Sequence, residues 1–407
     1  MRQCRCCGYP KMTPFLDLGF TAPADRFITC EQLDAPETAY PLIVVRCDQC
    51  MLIQLSYVVP PEILYQEDYP YESSTTRTGR EHFDAFAAAA IEQFKLKQND
   101  LACDIGSNVG VLLSGFKNRG MRVLGFDPAG NIAQIAEKNG IPTIADFFNV
   151  TVAANAAAKH GRAKVITGSN VFAHIDNLME LMHAVDKLLD DDGVFIVEAP
   201  YLVHLLDNLE YDTIYHEHLS YLSLTPLAPF FRNCGFELFD VKQMDIHGGS
   251  IRLFVGRAGR HPIGKQVLDM LKIEEERKIH SLETLYAFAQ RVKKNRFDLQ
   301  AMLRDLKHQG KRIAGVSAPA KGMTLLNYCK IDNEYLEFVT EKSLLKIDRY
   351  TPGTHLPVKP DSALMTENID YALLLAWNFK DEIMKNLSAF KARGGKFIIP
   401  IPAPTII

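Results

Sequence analysis

Apolar positions along this chain fall into stretches of three kinds, and their order outlines an architecture. Between about residues 71 and 258, short apolar runs at 101–104, 121–126, 164–168 and 193–198 are flanked by turn residues, which predicts buried strands. Segments 85–94, 109–118 and 178–189 repeat apolar residues at three and four, which predicts helices. The acidic turn Asp190-Asp191-Asp192 is expected to bound the last strand. Strands alternating with helices imply a mostly parallel sheet covered on both faces. From about 262 to 310 the pattern becomes helical and charged, with Leu282, Leu285, Phe288 and Val292, then Leu299, Met302, Leu303 and Leu306, on one face. This predicts one or two long amphipathic helices joining two globular parts. Runs at 312–316, 336–339, 371–375 and 396–400 then predict a second, smaller α/β domain. The first 70 residues read as irregular, with short apolar runs such as 41–45. The expected fold class is α/β, divided as an N-terminal module (1–70), an α/β domain (71–258), a helical connector (259–310) and a C-terminal α/β domain (311–407).

Composition narrows the function classes. The chain has 407 residues, 47% of them hydrophobic, enough for large cores. Lys+Arg is 45 against 49 Asp+Glu, a net charge of −4, and no basic run is present, so nucleic acid is not an expected partner. No apolar stretch approaches a membrane span, and Met1-Arg2-Gln3-Cys4 opens no apolar signal region, so a cytoplasmic location is expected. Sheet edges give no clear oligomerisation signal; a monomer or homodimer is expected.

The nine cysteines are more informative in placement than in number. Cys4-x-x-Cys7 and Cys47-x-x-Cys50 form two knuckle-like pairs, each able to present two thiolates from a tight turn, and Gly8 follows the first. Two pairs complete a tetrahedral sulfur site suited to zinc, and four ligands leave no open position, so the metal is expected to be structural. Cys6 reads as a bystander. Cys30, Cys103, Cys234 and Cys329 read as small apolar residues.

The second chemical feature is the turn Asp104-Ile105-Gly106-Ser107-Asn108-Val109-Gly110 between a strand and a helix. Gly106 and Gly110 let the backbone turn tightly and approach a ligand. Alone, this turn suits a nicotinamide dinucleotide as well as S-adenosylmethionine. Later strand ends favour the latter: Asp127 for ribose hydroxyls, Asp146 for an adenine amino group, Phe147 and Phe148 as an aromatic wall, and Asn170 beyond the third strand.

The densest reactive sequence is 210–218, ending Tyr215-His216-Glu217-His218. If extended, it points His216 and His218 one way and Glu217 the other. A polar loop with satisfied histidines is one reading, and a metal site with a third ligand another. A third is carbon methylation, which must first remove a proton; a histidine oriented by a carboxylate suits that task.

Taken in order, the cysteine pairs, the Asp-x-Gly-x-Asn-x-Gly turn, Tyr-His-Glu-His, His247-Gly248-Gly249-Ser250 with Arg252, Ser317-Ala318-Pro319-Ala320-Lys321-Gly322, Pro352-Gly353-Thr354 and Ala376-Trp377-Asn378 resemble the sugar C-methyltransferases. Those enzymes methylate C-3 of nucleotide-linked 4-keto-6-deoxy sugars. The resemblance covers nearly the whole chain. It departs at Val109, where the family often carries an acid; that position is expected to face the cofactor loop. The resemblance implies a Rossmann-like methyltransferase domain between the zinc module and a second Rossmann-like domain. It implies S-adenosylmethionine as cofactor and a nucleotide-diphosphate-linked keto sugar as partner. It makes His218 the general base, with Tyr215 and Glu217 orienting it or binding the sugar, and Tyr69 and His174 in the active site. Ser317, Lys321 and Arg252 are implied on the substrate side, and more weakly Lys346 and the loop from Pro352 to His355. The remaining alternatives are an O- or N-methyltransferase and a non-catalytic nucleotide-sugar binder.

Overall fold

The computed structural model describes residues 3–65, 77–244 and 249–407, and among these the strands form three sheets. The N-terminal region is a sheet rather than irregular chain. β1 (Met12–Thr21) pairs antiparallel with β2 (Tyr40–Cys47), which pairs with β3 (Ile53–Leu55). The run at 41–45 belongs to β2, with Leu42, Val44 and Val45 buried. Two register shifts in β1, one spanning Asp17 to Phe20, break the alternation by which a strand is read from sequence.

The second sheet contains β4 (Leu101–Ile105), β5 (Arg122–Phe126), β6 (Thr143–Ile144), β7 (Ala163–Ser169), β8 (Leu189–Pro200), β10 (Phe236–Met244) and β11 (Ser250–Arg257). Its order is β10-β11-β8-β7-β4-β5-β6. The strands from β4 to β8 run parallel, and β10 and β11 add an antiparallel edge. The chain runs outward from β4 through β5 and β6, then returns to β7 on the other side of β4. A crevice therefore opens at the carboxyl ends of β4 and β7, where such sheets hold ligands.

The acidic triplet is not a turn. Asp190, Asp191 and Asp192 lie inside β8, where cations beside the strand offset them. Lys164 pairs with Asp190 at 3.1 Å and with Asp192, and Arg162 pairs with Asp191 at 3.1 Å. The helix Arg77–Phe94 starts earlier than its apolar pattern. Its first turns are polar, and Arg77 meets Glu81 at 2.6 Å.

The third sheet has the order β14-β13-β12-β15-β16-β17, with β12 (Ile313–Val316), β13 (Val339–Glu341), β14 (Val358–Pro360), β15 (Tyr371–Leu374), β16 (Lys396–Ile399) and β17 (Thr405–Ile406). All are parallel except β17. β13 lies later than the apolar run at 336–339, because Leu336 and Phe338 fill the core before the strand begins.

The expected connector is two helices, Lys265–Glu276 and Leu282–His308. The second buries Leu285, Phe288, Val292, Leu299, Leu303 and Leu306 and packs against β1 and the helix Ala320–Cys329. It is thus a wall shared by the N- and C-terminal parts. Nor does the N-terminal sheet end with the first 70 residues, since β9 (Ser220–Tyr221) pairs with β3. No helix among the described residues is long and apolar enough to cross a membrane.

Candidate active site

The cysteine pairs converge. The sulfurs of Cys4, Cys7, Cys47 and Cys50 lie within 4.8 Å of one another, with Cys4 and Cys50 at 3.4 Å and Cys7 and Cys47 at 3.6 Å. Four sulfurs bound tetrahedrally at ~2.3 Å from zinc stand roughly 3.8 Å apart, so the donor set fits that ion. Both knuckles close alike: Gly8 donates its N–H to the Cys4 carbonyl at φ 70°, and Met51 to the Cys47 carbonyl at φ 67°. The glycine was legible as a turn signal; the left-handed methionine was not. Cys6 is buried and stands outside the cluster.

A cleft of about 1060 Å³ is lined by all three parts of the chain. On its methyltransferase side the turn after β4 is left-handed at Gly106 and Asn108, and a Cβ on Gly106 would meet Val171 at 2.8 Å. The carboxylate of Asp127, just beyond β5, accepts the Asn108 N–H at 2.9 Å and the Ala129 N–H at 3.0 Å. One lone pair on each oxygen stays open, which suits a ribose diol. Phe147 and Phe148 line the same cleft, the latter edge-on to Phe126. Asn170 adopts φ 56° at the end of β7, beside the buried Ser169 hydroxyl, which has no hydrogen-bond partner among the described residues. These groups fit an adenosine-bearing cofactor. Burial, with Asp127 nearby, pushes the Asp104 carboxyl up to about 7, against a 2.7 Å hydrogen bond from Thr167.

Three sequence readings on this side need correction. Asp146 is exposed and does not line the cleft; its Oδ1 accepts its neighbour's N–H, from Phe147, at 2.7 Å. Gly110 holds the turn without lining the cleft: at φ 83° it opens the helix Val111–Lys117, and a Cβ there would meet Ile141 at 2.7 Å. Val109 does not face the loop; it is buried against Ala129 and Ile132.

The histidine segment is not extended. Tyr211–Thr213 forms a 3-10 turn, and His218 donates its backbone N–H to the Tyr215 carbonyl at 2.9 Å. The two histidines therefore diverge. His216 is buried, and its Nε2 donates to the Tyr40 carbonyl at 3.2 Å, which ties the segment to β2. His218 turns into the cleft. Its Nδ1 lies 2.7 Å from the Thr213 carbonyl, which can only accept, so Nδ1 carries a proton and Nε2 holds the lone pair of the neutral ring. The Tyr215 hydroxyl meets Nε2 at 2.8 Å. Among the described residues, the carbonyl of Thr213 is what holds Nδ1. Glu217 is buried and lines the cleft. His174 lies on the 3-10 turn after β7, with its ring 4.9 Å from that of His218. Burial and His218 hold the His174 pKa well below the usual histidine range, so its imidazole stays neutral. Its Nδ1 meets the Tyr65 hydroxyl at 3.2 Å, and its Nε2 is buried with no hydrogen-bond partner among the described residues. Tyr65 was missed because tyrosine is ordinary core material. Tyr69 and His247 lie outside the described residues.

Opposite this histidine cluster stands the turn after β12. Ser317 has φ 68°, and the helix Ala320–Cys329 begins just after Pro319. Lys321 reaches the cleft but also meets Asp212 at 3.3 Å and Asn378 at 3.2 Å. Asp212 is fully buried and accepts the Trp377 indole N–H at 2.7 Å, so the histidine segment is latched to the C-terminal domain. Lys346 lines the cleft, pairs with Asp25 at 3.0 Å and donates to the Ala318 carbonyl at 2.9 Å. Sequence reasoning assigned no role to Asp25, Asp212 or Glu341; the first two meet their partners only across domain boundaries.

Arg252 is not on the substrate side. It is buried in β11, meets Glu198 at 2.6 Å, and stacks on Phe86 with its guanidinium carbon 3.5 Å from the ring centre. His82 completes the set, at 2.6 Å from Glu198. A buried carboxylate at the sheet centre requires such partners. The Pro352 to His355 loop is likewise engaged elsewhere: Glu37 accepts from the Gly353 N–H at 3.0 Å and meets His355 at 2.9 Å.

Comparison with known proteins finds three family models along the chain. Family models match a zinc binding domain at residues 4–65, a methyltransferase domain at 80–241 and a C-methyltransferase C-terminal domain at 245–402. The chain is 36% identical to the C-methyltransferase NovU of Streptomyces niveus over 406 residues, covering 100% of this chain and 96% of that one. Among solved structures, the magnesium protoporphyrin IX methyltransferase of Synechocystis with bound SAH is 15% identical over 46% of this chain and 90% of its own, with a TM-score of 0.36, too slight a likeness to argue from. With the cysteine cluster that fits zinc and the cleft that fits S-adenosylmethionine, the full-length match shows that the chain belongs to the S-adenosylmethionine-dependent C-methyltransferases, built as a zinc-binding module, a methyltransferase domain and a C-terminal domain with a parallel sheet.

Proposed function

We propose that the protein methylates C-3 of a nucleotide-linked 4-keto-6-deoxy sugar, with His218 as general base. The observation that carries this reading is the pairing of His218 Nε2 with the Tyr215 hydroxyl inside a cleft whose two sides are the turns after β4 and β12. The division at residues 1–70, 71–258, 259–310 and 311–407 is kept as a working scheme, with β9 and the long helix shared across its boundaries.

In this reading the C-4 ketone acidifies the C-3 hydrogen. His218 Nε2 takes that proton, the C–H bond pair moves into the ring, and negative charge grows on the C-4 oxygen. The imidazolium stays anchored through Nδ1 on the Thr213 carbonyl. The sugar displaces the Tyr215 hydroxyl from Nε2, and that hydroxyl then donates to the C-4 oxygen. The Nε2 of His174 is a second donor when the Tyr65 hydroxyl donates to Nδ1. S-adenosylmethionine, held by Asp104, Gly106, Asn108, Asp127, Phe147 and Asn170, supplies the methyl group. Glu217 lines the pocket for the sugar, and Tyr69 belongs to the same proposal as a further active-site hydroxyl. Ser317, Lys321 and Lys346 lie on the nucleotide-diphosphate side. The protein works in the cytoplasm, where nucleotide sugars are made.

Incubation with nucleotide 4-keto-6-deoxy sugars in D2O, without cofactor, tests the chemistry. Deuterium is expected at C-3, followed by one added methyl group on that carbon once the cofactor is present. Methylation at oxygen or nitrogen with no C-3 exchange on any such sugar would refute the reading.

A further inference from the structure

The carbonyl that holds His218 is itself held from the C-terminal half of the chain. Thr213, whose carbonyl accepts from Nδ1, ends the 3-10 turn Tyr211–Thr213. The Tyr211 hydroxyl donates to Asn295 Oδ1 at 2.8 Å, on the long helix Leu282–His308. Thr324, on the helix Ala320–Cys329, donates its hydroxyl to the Ile214 carbonyl at 3.2 Å. Between these two ties, Asp212 Oδ2 accepts the Trp377 indole N–H at 2.7 Å and meets Lys321 at 3.3 Å. Trp377 stands on a 3-10 turn after β15, and the Lys321 ammonium lies 4.3 Å from its ring centre. One carboxylate thus gathers two elements of the C-terminal domain onto the turn that precedes the base.

Keeping Asp212 in this place costs stability. It is fully buried, and its Oδ1 has no hydrogen-bond partner among the described residues. Burial pushes its carboxyl up, against the opposing pull of Lys321 and the Trp377 N–H. An apolar side chain of similar volume would avoid that cost. The next residue supplies a reason to bear it. Thr213 gives its own N–H and hydroxyl to the Glu210 carbonyl, at 3.1 and 2.7 Å, so its carbonyl points wherever the turn points. That direction decides where the His218 proton sits. With the carbonyl in place, Nδ1 carries the proton and Nε2 has a lone pair. With the carbonyl turned away, the proton is free to sit on Nε2, and such a ring accepts nothing there.

Resting on the reading of His218 as general base, we propose that Asp212 is a positioning residue. Through the Trp377 N–H and Lys321 it pins the turn that aims the Thr213 carbonyl, and so keeps His218 in the tautomer that takes a proton at Nε2. The C-terminal domain then helps to set the base as well as lining the cleft.

The tautomer and the chemistry are read separately on the full chain, unaltered and as Asp212→Ala and Trp377→Phe. The second variant keeps an aromatic ring beside Lys321 and removes only the donor, so it serves if Asp212→Ala does not fold. Nitrogen chemical shifts of labelled histidine, at a pH where the ring is neutral, give the tautomer; the signal that His218→Asn removes is the one to follow. The unaltered chain is expected to carry the proton on Nδ1, and both variants to show a share on Nε2. Cofactor-free deuterium exchange at C-3 should fall about tenfold to hundredfold in each, with KM for the sugar little changed. S-adenosylhomocysteine affinity should hold within about twofold. The double variant should lose no more than the worse single one, because both break the same hydrogen bond. Asp212→Asn still offers Trp377 an acceptor and should recover most of the exchange. A His218 ring that keeps its proton on Nδ1 in both variants overturns the proposal, and so does exchange within about threefold of the parent. If no 4-keto sugar exchanges with the unaltered chain, the reading of His218 as base falls, while the tautomer still decides whether Asp212 holds the ring.

Discussion

Replacing His218 with Asn removes Nε2 while disturbing little else. The shorter amide occupies the place of Nδ1 and can donate to the Thr213 carbonyl, which lies 2.7 Å from Nδ1 in the histidine. The Tyr215 hydroxyl loses its 2.8 Å partner, a loss of about 1 kcal/mol from folding. Catalysis loses far more. A positioned general base contributes roughly 10²–10⁴ in rate, about 3–5 kcal/mol of barrier. Turnover should therefore fall by two to four orders of magnitude, and cofactor-free deuterium exchange at C-3 should fall with it. S-adenosylhomocysteine affinity should hold within about twofold, because none of the groups fitted to the cofactor is altered. Mass spectrometry of product and of exchanged sugar reads the first two quantities, and calorimetry the third. Turnover within about threefold of the parent, less than ~1 kcal/mol of barrier, would remove His218 from the role of base.

Cys47→Ser should lower zinc, measured by metal analysis of the purified protein, well below one ion per chain; full zinc content would sink the four-cysteine site. Arg252→Ala should destabilise the protein by about 3–5 kcal/mol in denaturant unfolding, because Glu198 is left buried with its cationic partner removed and a hydrogen bond to His82 remaining. A small stability change with a large rise in KM would instead return Arg252 to the substrate. For Asp104, the folded pKa of about 7 stands above the unfolded value near 3.8. Its contribution to stability is thus fully present below pH 4 and is lost as pH rises toward 7. Asp104→Asn does not titrate, so its stability relative to the parent should rise across that window by a few kcal/mol. A difference independent of pH between 4.5 and 7.5 would contradict the burial argument.

Much of this protein is legible in its sequence, where the chemistry is local. Two Cys-x-x-Cys pairs declare a metal site because each knuckle is a short turn. The Asp104 to Gly110 turn declares a ligand site because glycines and a strand-end acid make it whatever surrounds them. Alternation of apolar runs and helical periods gives two α/β domains. The misreadings share one cause: they concern side chains whose partner lies far away in sequence. Arg252 looks available until β11 is set beside β8 and brings Glu198 to it. Asp146 looks like an adenine ligand until the turn after β6 directs its carboxylate to the neighbouring N–H. A pattern of two would set His216 and His218 on one side, but the turn at Tyr215 sends one to β2 and the other into the cleft. The amino-acid sequence by itself determined which chemistries are present and the order of the strands that carry them. Tertiary structure alone decided which charges are spent on one another and which face the cleft, because a buried charge is committed by the neighbour that the register of distant strands brings to it.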